Sequence, residues 1–566
     1  MGKSINMGIR DMRWYTYCIS AQQQSFNKEC KAGMGTLWFN GSIYTMVKEN
    51  DQVEAVFTEK GVIVDTGSLD HLKNEHAGNI SREIDLKGQT MLPGLVDSHL
   101  HLVGHGERLL RLDLSLMDSR ESIMKSLREK CLKTPAGKWI VAEGWNENEW
   151  PRPELILRDE LDAISADHPI VLKRICRHAL VVNSRALLEA DIKEDIKEPS
   201  GGVICRYPDG RLNGLFKESQ AQNLILDSLS GIDQEYIENA LTEAIEDAYK
   251  LGLTGGHTED LHYYNGFMPT YQAFKSVIED REMAFRANLL VHHEAFEEML
   301  AAGGGYQKGT RYIKFDSMKI FTDGSLGGRT ALLSEPYVDQ KNTNGVAIFT
   351  ERELQEWVKK ARAAGMPIAV HAIGDLAFEY VLNAIEALPP KKGQRDRLIH
   401  AQIVRPELLE RAAKLPVIFD IQPGFVPSDF PWVEEKVPAD LLESSYAWRT
   451  YLNLGIICAG GSDAPIEPLN PILGIHAAVT RMKINSEDRT VYGLSERLSV
   501  FEAFALYTKG SAAAIGQEKR RGVINKGYDA DFTVFNLDVF AVAPDDLLKA
   551  EAVMTVIDDK IMYDKN

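Results

Sequence analysis

The chain has no run of eighteen or more apolar residues, so it carries no helical membrane span of ordinary length. It also lacks paired cysteines. The six present, at 18, 30, 131, 176, 205 and 458, are scattered with no CxxC spacing. That scatter argues against a disulfide framework and a thiolate zinc site, and it fits a reducing cytoplasm. Basic charge is scarce as well: Lys and Arg number 64 against 82 Asp and Glu, leaving a net charge of -18. Nucleic-acid and anionic-membrane partners need a basic surface, so both are argued against, and a small-molecule substrate is expected. Neither GxGxxG nor GxxxxGK[ST] follows a strand pattern. An open doubly wound sheet, the alternative architecture, is therefore without its phosphate-binding turn.

What is present is the composition of a globular protein, 44% hydrophobic and 26% charged over 566 residues. That length exceeds one ordinary core and predicts a large domain with at least one smaller one. Residues 1–33 lack the continuous apolar core of a signal peptide. Met34 is expected to be the natural start, with 1–33 a disordered leader; mass spectrometry of the natural N-terminus checks this. From 34 to 92 the pattern is short strands and turns, with a hairpin expected at Asn40-Gly41. Residues 520–566 answer in the same style with ADFTVFNL and AVMTVIDDKIMY. Two all-β ends around an α/β middle predict one composite β-sandwich domain, 34–92 with 520–566.

Between them, 93–519 alternates strand and helix signals. IVLKRI, HLVGHG and GVAIFT read as strands, and REMAFRANLL, ELQEWVKKARAAG and AFEYVLNAIEAL read as helices. Several apolar runs end in polar residues: VDSHLH, LGLTGGHTED, SMKIFTDGS, PIAVHAIGD, LIHAQ, VIFDIQP and IICAGGSDAP. Apolar run, polar tip, then helix is the pattern of a (β/α)8 TIM barrel, whose chemistry sits at the carboxyl ends of its strands. The wider spacing from about 108 to 215 predicts an insertion at the barrel mouth.

The polar tips carry the chemistry. His99 and His101 lie two apart on one strand, so both imidazoles point to the same side. Lys319 falls inside an apolar strand, where an ammonium is costly unless paired or neutralised. Either it is salt-bridged, with Asp323 the candidate, or carbon dioxide has converted it to a carbamate with two oxygens able to bridge cations. His371 ends PIAVH, His400 ends RLIH, and Asp463 follows Gly460-Gly461, glycines that permit close approach. Nitrogen and oxygen ligands without thiolate suit two divalent ions: zinc by default for hydrolysis, with manganese, nickel or iron as alternatives.

The order HxH, Lys, His, His, Asp resembles the amidohydrolase superfamily. LPGLVDSHLHL, KIFTDGSLGGRTALL, HAIGD, HAQ, GSDAPIEPLNP and ADFTVFN look like its N-substituted formamide deformylase-like branch. The resemblance covers nearly all of 34–566. It implies a metal-dependent hydrolase of carbon–nitrogen bonds other than peptide bonds. His99, His101 and Asp463 would hold one ion, His371 and His400 the other, and carboxylated Lys319 would bridge. Asp463 would carry the proton from the attacking hydroxide to the leaving amine, and a homodimer is common in such enzymes. A deaminase or cyclic-amide hydrolase is the alternative on the same centre, and a non-catalytic metal-containing binding protein is the alternative of another class. One departure is clear. Where the family carries a GVTTVHD-like third strand, this chain has His257-Thr258, with Thr258 in place of the acid.

Most other candidates have two readings. His257 either contacts the substrate carbonyl catalytically or orients a neighbour. Trp145 either stacks on substrate or sits in a core. His178, with Asn183, either lines the mouth or is structural. Gln422, at the tip of the expected seventh strand, is a substrate contact. Arg449 binds a substrate carbonyl or carboxylate, or forms an ion pair. His105, His292 and His293 are placed outside the ligand set.

Overall fold

The computed structural model describes residues 35–565, apart from 115–116, 146, 148–149, 151–153, 175–178, 200–201, 227, 230–232 and 485–488. The expected leader and His178 lie outside the described residues.

Both ends of the chain enter one sheet. β1 (Gly35–Tyr44) pairs with β2 (Gln52–Glu59), β4 (Ile80–Asp85) and β5 (Thr90–Pro93), while β3 (Val62–Gly67) pairs with β2. The C-terminal strands β20 (Phe532–Phe535), β21 (Ala552–Ile557) and β22 (Lys560–Asp564) continue the sheet from β5. Asn40-Gly41 is not a hairpin. β1 runs straight through it with a bulge between Phe39 and Ile43, and Asn40 takes the left-handed φ of 60° that absorbs the extra residue.

β6 (Leu95–Leu100) follows β5 directly and begins a second, all-parallel eight-stranded sheet. Its other strands are β13 (Leu253–Thr258), β14 (Arg286–His292), β15 (Ile313–Phe321), β16 (Ile368–Ala372), β17 (Asp396–His400), β18 (Val417–Ile421) and β19 (Ile457–Gly460), adjacent in that order. The result is a nearly closed barrel. Beyond β19 the chain meets β6: the Asp463 amide donates to the His99 carbonyl and the His101 amide to the Ala464 carbonyl, both at 2.8 Å.

Three local readings are corrected. REMAFRANLL is not helical, because its second half is β14. A strand buried on both faces shows no alternation, and its Ala and Leu residues mimic a helix. HLVGHG is the start of α1 (Leu102–Leu110), which His101 precedes as N-cap residue. GVAIFT is irregular and leads into a helix capped by Thr350. Leu253–Thr258 is also the second barrel strand rather than the third, since the intervening strands belong to another sheet.

That sheet is built by the wide-spaced region. β7 (Leu112–Asp113), β8 (Ile140–Trp145), β9 (Ile170–Arg174), β10 (Ala179–Val182), β11 (Val203–Arg206) and β12 (Leu212–Lys217) form six strands outside the barrel. One face buries Trp145, Leu172 and Val181, the other Val171, Leu180 and Phe216. α1 leads in and α2 (Gln234–Lys250) leads back. A Cβ on Gly106 would lie 1.8 Å from the Ala240 carbonyl oxygen, so that glycine sets how closely α1 and α2 pack.

Candidate metal centre

β6 ends with His99 buried and His101 partly exposed. Asp463 faces both: its Oδ1 lies 3.4 Å from His99 Nε2 and 3.5 Å from His101 Nε2. Donor atoms about 2.1 Å from a tetrahedral zinc stand roughly 3.4 Å apart, so both carboxylate–imidazole edges match such a site, and all three donors lie within 4.8 Å of one another. Asp463 holds a left-handed φ of 58°, a conformation costly for a non-glycine residue and sustained here by the contacts around it. Gly461 makes room, since a Cβ there would lie 2.6 Å from the His99 amide nitrogen and 2.8 Å from Asp97 Oδ1. Asp97 ties the two segments together by accepting from the His99 amide (3.0 Å) and the Ser462 amide (2.9 Å).

Lys319, fully buried on β15, brings Nζ to 3.1 Å from His99 Nε2. The expected alternative partner, Asp323, does not pair with it. Asp323 accepts from the amides of Leu332, Ile373 and Gly374 and lies 3.4 Å from His371 Nε2. The rings of His371 and His400 meet edge to face at 4.5 Å, and those of His99 and His400 at 5.6 Å. The six ligand candidates thus converge on one end of the barrel.

Neighbouring groups fix which nitrogen each imidazole presents. His101 Nδ1 donates to the Glu259 carbonyl at 2.7 Å, leaving Nε2 toward Asp463. His400 Nδ1 donates to Gln422 Oε1 at 2.7 Å, leaving Nε2. His371 Nε2 donates to the Gly324 carbonyl at 3.1 Å, leaving Nδ1. His99 Nδ1 is buried with no partner. Burial, reinforced by Lys319 and the neighbouring imidazoles, holds His99 well below the usual histidine range. Burial also lowers His400 to about 4. Both are therefore neutral, the form that ligates. Burial opposes charge on His101 too, but Asp463, Glu259 and Asp260 outweigh it and lift that group to about 9. Burial lowers Lys319 to about 8.

The remaining expected residues separate. Gln422 follows the seventh barrel strand as anticipated, but it holds His400. His257 is fully buried on β13 with neither ring nitrogen partnered. It lines a small enclosed space with Val96, Thr254 and Arg286 near the amino ends of the strands, away from the cavity that reaches His101. Trp145 lies in the core of the inserted sheet beside Trp150. Asn183 caps a helix there, accepting from the Ala186 and Ile170 amides. Arg449 forms a bidentate pair with Glu502.

Several functional neighbours escaped the sequence reading. Glu259 is fully buried, with Oε2 3.6 Å from His101 Nδ1, and it accepts from Tyr263 at 2.8 Å. Glu259 directly follows Thr258, the residue that stands where the resemblance places an acid. Arg397 is buried below the centre, bonded to Asp420 (2.7 Å), Asp316 (2.9 Å) and the Ser98 carbonyl beside His99. Charged residues inside three apolar strands were the available signal.

A second histidine group, His262, His292 and Glu294, has donor atoms close together. Its His262 and His292 rings stack 10° from parallel at 4.3 Å, so their lone pairs do not converge. His292 Nδ1 already accepts from the Glu294 amide, and His262 Nε2 pairs with Glu294 at 2.8 Å. This group is a close imidazole–carboxylate contact and a ring stack.

The amidohydrolase family pattern matches residues 82–563. The chain belongs to the amidohydrolase family. It is 49% identical over 535 residues to the Bacillus subtilis (strain 168) protein YtcJ, named provisionally as an amidohydrolase, covering 94% of this chain and 100% of that one. It is 24% identical over 559 residues to the N-substituted formamide deformylase of Arthrobacter pascens, covering 93% of this chain and 98% of that one. A crystal structure of a metal-dependent hydrolase from Pyrococcus horikoshii OT3 superimposes with a TM-score of 0.72 and 27% identity, covering 90% of this chain and 99% of that one. As a member of that family the chain is a hydrolase, with candidate metal ligands gathered where the fold places its chemistry. No helix among its described residues is long and apolar enough to cross a membrane.

Proposed function

We propose that the protein hydrolyses a non-peptide carbon–nitrogen bond, of the N-substituted amide or formamide type. The observation that carries this reading is the triangle of His99 Nε2, His101 Nε2 and Asp463 Oδ1, with Lys319 Nζ 3.1 Å from the first of these. His99, His101 and Asp463 would hold one divalent ion, zinc by default, and His371 and His400 a second, with Lys319 bridging as its carbamate. Ions so held lower the pKa of a water molecule and polarise a carbonyl group.

The chain's own residues do the rest. Asp463 is placed to take the proton of the attacking water and pass it to the leaving amine. Burial opposes its charge, but His101, His400 and Lys319 outweigh burial and hold its carboxyl below the usual range, so it is available as an acceptor near neutrality. The carbonyl of Glu259 and the side-chain oxygen of Gln422 take up Nδ1 of His101 and His400, which leaves Nε2 of each ring to face the centre. His257 lies away from the cavity that reaches His101 and is left out of the reacting set. The similarity to the formamide deformylase supports the bond type.

The test is turnover of a panel of formamides and N-substituted amides by protein reconstituted with zinc or manganese and bicarbonate, with metal per chain measured in the same samples. Amine release requiring about two ions per chain supports the reading. Ammonia release from amino-substituted heterocycles, with the amides left intact, would assign a deaminase. A carbon-13 carbamate resonance from labelled bicarbonate, absent in Lys319→Ala, tests the bridge.

A further inference from the structure

His101 opens onto a cavity of about 670 Å³ between the barrel mouth and the inserted sheet. One wall is α1 with the residue that follows it, contributing Glu107, Arg108 and Arg111. The facing wall is the inserted sheet, contributing Glu143 of β8 and Lys173 of β9. Charged side chains dominate both walls. Among the described residues Tyr264 is the only aromatic lining side chain and Ile466 the only large aliphatic one. An apolar substituent entering here would strip water from charges and return nothing for it.

The acids of this cavity are largely engaged. Glu107 accepts from Tyr236 at 2.7 Å and from Tyr264 at 3.1 Å. Glu143 lies 3.4 Å from Arg111, and Glu147, just outside, grips Arg174 at 2.9 and 3.1 Å. Arg108 of α1 and Arg111 just past its end have donors to spare. Arg108 donates to the Pro465 carbonyl at 2.7 Å, and no carboxylate among the described residues lies within 4 Å of it. The carboxylates nearest Arg111 stand at 3.4 and 3.9 Å, longer than a charge-assisted bond of about 2.7–2.9 Å. A guanidinium offers a planar fork that matches a carboxylate. Arg108 lies seven residues beyond His101, a rise of about 10 Å along a helix.

From this we propose that the substrate is an amide whose departing amine ends in a carboxylate several bonds from the scissile nitrogen, received by Arg108 and Arg111 where the inserted sheet closes the cavity. The inference rests on the amide-hydrolase reading above and extends it to a substrate class. It also gives the insertion a role, since it supplies the wall facing α1, where Glu143 stands 3.4 Å from Arg111 and Glu147 pairs with Arg174.

The experiment compares N-formyl-6-aminohexanoate with its methyl ester and with N-formyl-1,6-diaminohexane, using metal-loaded full-length protein and its Arg108→Gln/Arg111→Gln variant. A parallel calorimetric titration uses the same three compounds without turnover. The expected result is kcat/KM at least tenfold higher for the carboxylate, a ratio that collapses in the variant, and the same ranking in binding. Equal rates for acid and ester, or preference for the diamine, overturns the inference and leaves the amide-hydrolase reading standing. If no compound is hydrolysed, that reading fails, and calorimetry still decides the subsite: carboxylate binding lost in the variant upholds it, and no binding overturns it.

Discussion

The backbone amide of Asp463 donates to the carbonyl of His99 at 2.8 Å, and the Asp463 carboxylate stands 3.4 Å from the Nε2 of the same residue. Barrel closure and ligand convergence are therefore one event. The hydrogen bond that joins the last strand's extension to the first strand also sets the spacing of their side chains. Anything that moves residues 461–463 moves the carboxylate relative to both histidines.

Asp463→Asn keeps an oxygen at this position and removes the proton acceptor. Turnover is expected to fall about 10²–10⁴-fold, the usual loss for a general base. Metal per chain should drop far less than in His99→Ala, which deletes a ligand outright. Elemental analysis beside an amide-hydrolysis assay separates the two effects. A variant that loses metal and activity in step would make Asp463 a ligand with no proton-transfer role.

Gly461→Ala is expected to be costly for a steric reason. Its Cβ would fall 2.6 Å from the His99 amide nitrogen, and backbone has to shift to admit it. Overpacking of this kind costs about 1–3 kcal/mol. Gly78→Ala is the control, because nothing lies within 4 Å of that position. Urea unfolding should separate the two variants, and Gly461→Ala should also bind metal more weakly. Equal stability would mean that the 461–463 segment yields easily and does not set the ligand spacing.

The six candidate ligands were legible as a group because each lies within or at the end of an apolar strand run, and parallel barrel strands bring such positions to one rim. What failed to read through depends on facing and on neighbours. His257 is on a barrel strand, but the β13–β6 register shifts between Leu253 and Gly255 and again between Gly256 and Thr258, so counting residues misplaces its side chain. Glu259 stands one position beyond where the acid was sought. Trp145 sits in a core that belongs wholly to the insertion, and tryptophan in a polar stretch does not announce which core it fills. β14 was hidden by residues that favour helices, since a strand covered on both faces has no alternation to betray it.

Gln422 reads as a substrate contact in the sequence and as a partner of His400 in the structure. Its Oε1 receives the proton of His400 Nδ1 and leaves Nε2 free to ligate. Gln422→Leu removes that acceptor and is expected to weaken metal binding about 10–100-fold, as loss of such supporting bonds does. Gln422→Glu keeps an acceptor and should restore most of the affinity. Competition against a chelator measures both. Unchanged affinity in Gln422→Leu, with a raised KM, would return Gln422 to the substrate.

Asp429 gives a pH dependence independent of the metal ligands. It accepts from Tyr446 at 2.7 Å and from Gln402 at 3.1 Å, and burial raises its carboxyl from 3.8 to about 6. The folded state thus holds this proton more tightly than the unfolded chain. Its contribution to stability is fully present below pH 4 and is lost as the pH rises to about 6, a change on the order of 3 kcal/mol. Asp429→Asn has no proton to lose at this position. Wild type should therefore gain stability relative to the variant as the pH falls from 7 to 4. Urea midpoints across that range are the measurement. Parallel curves would mean that Asp429 titrates the same way in both states, and that its bonds to Tyr446 and Gln402 offset the cost of burying its charge.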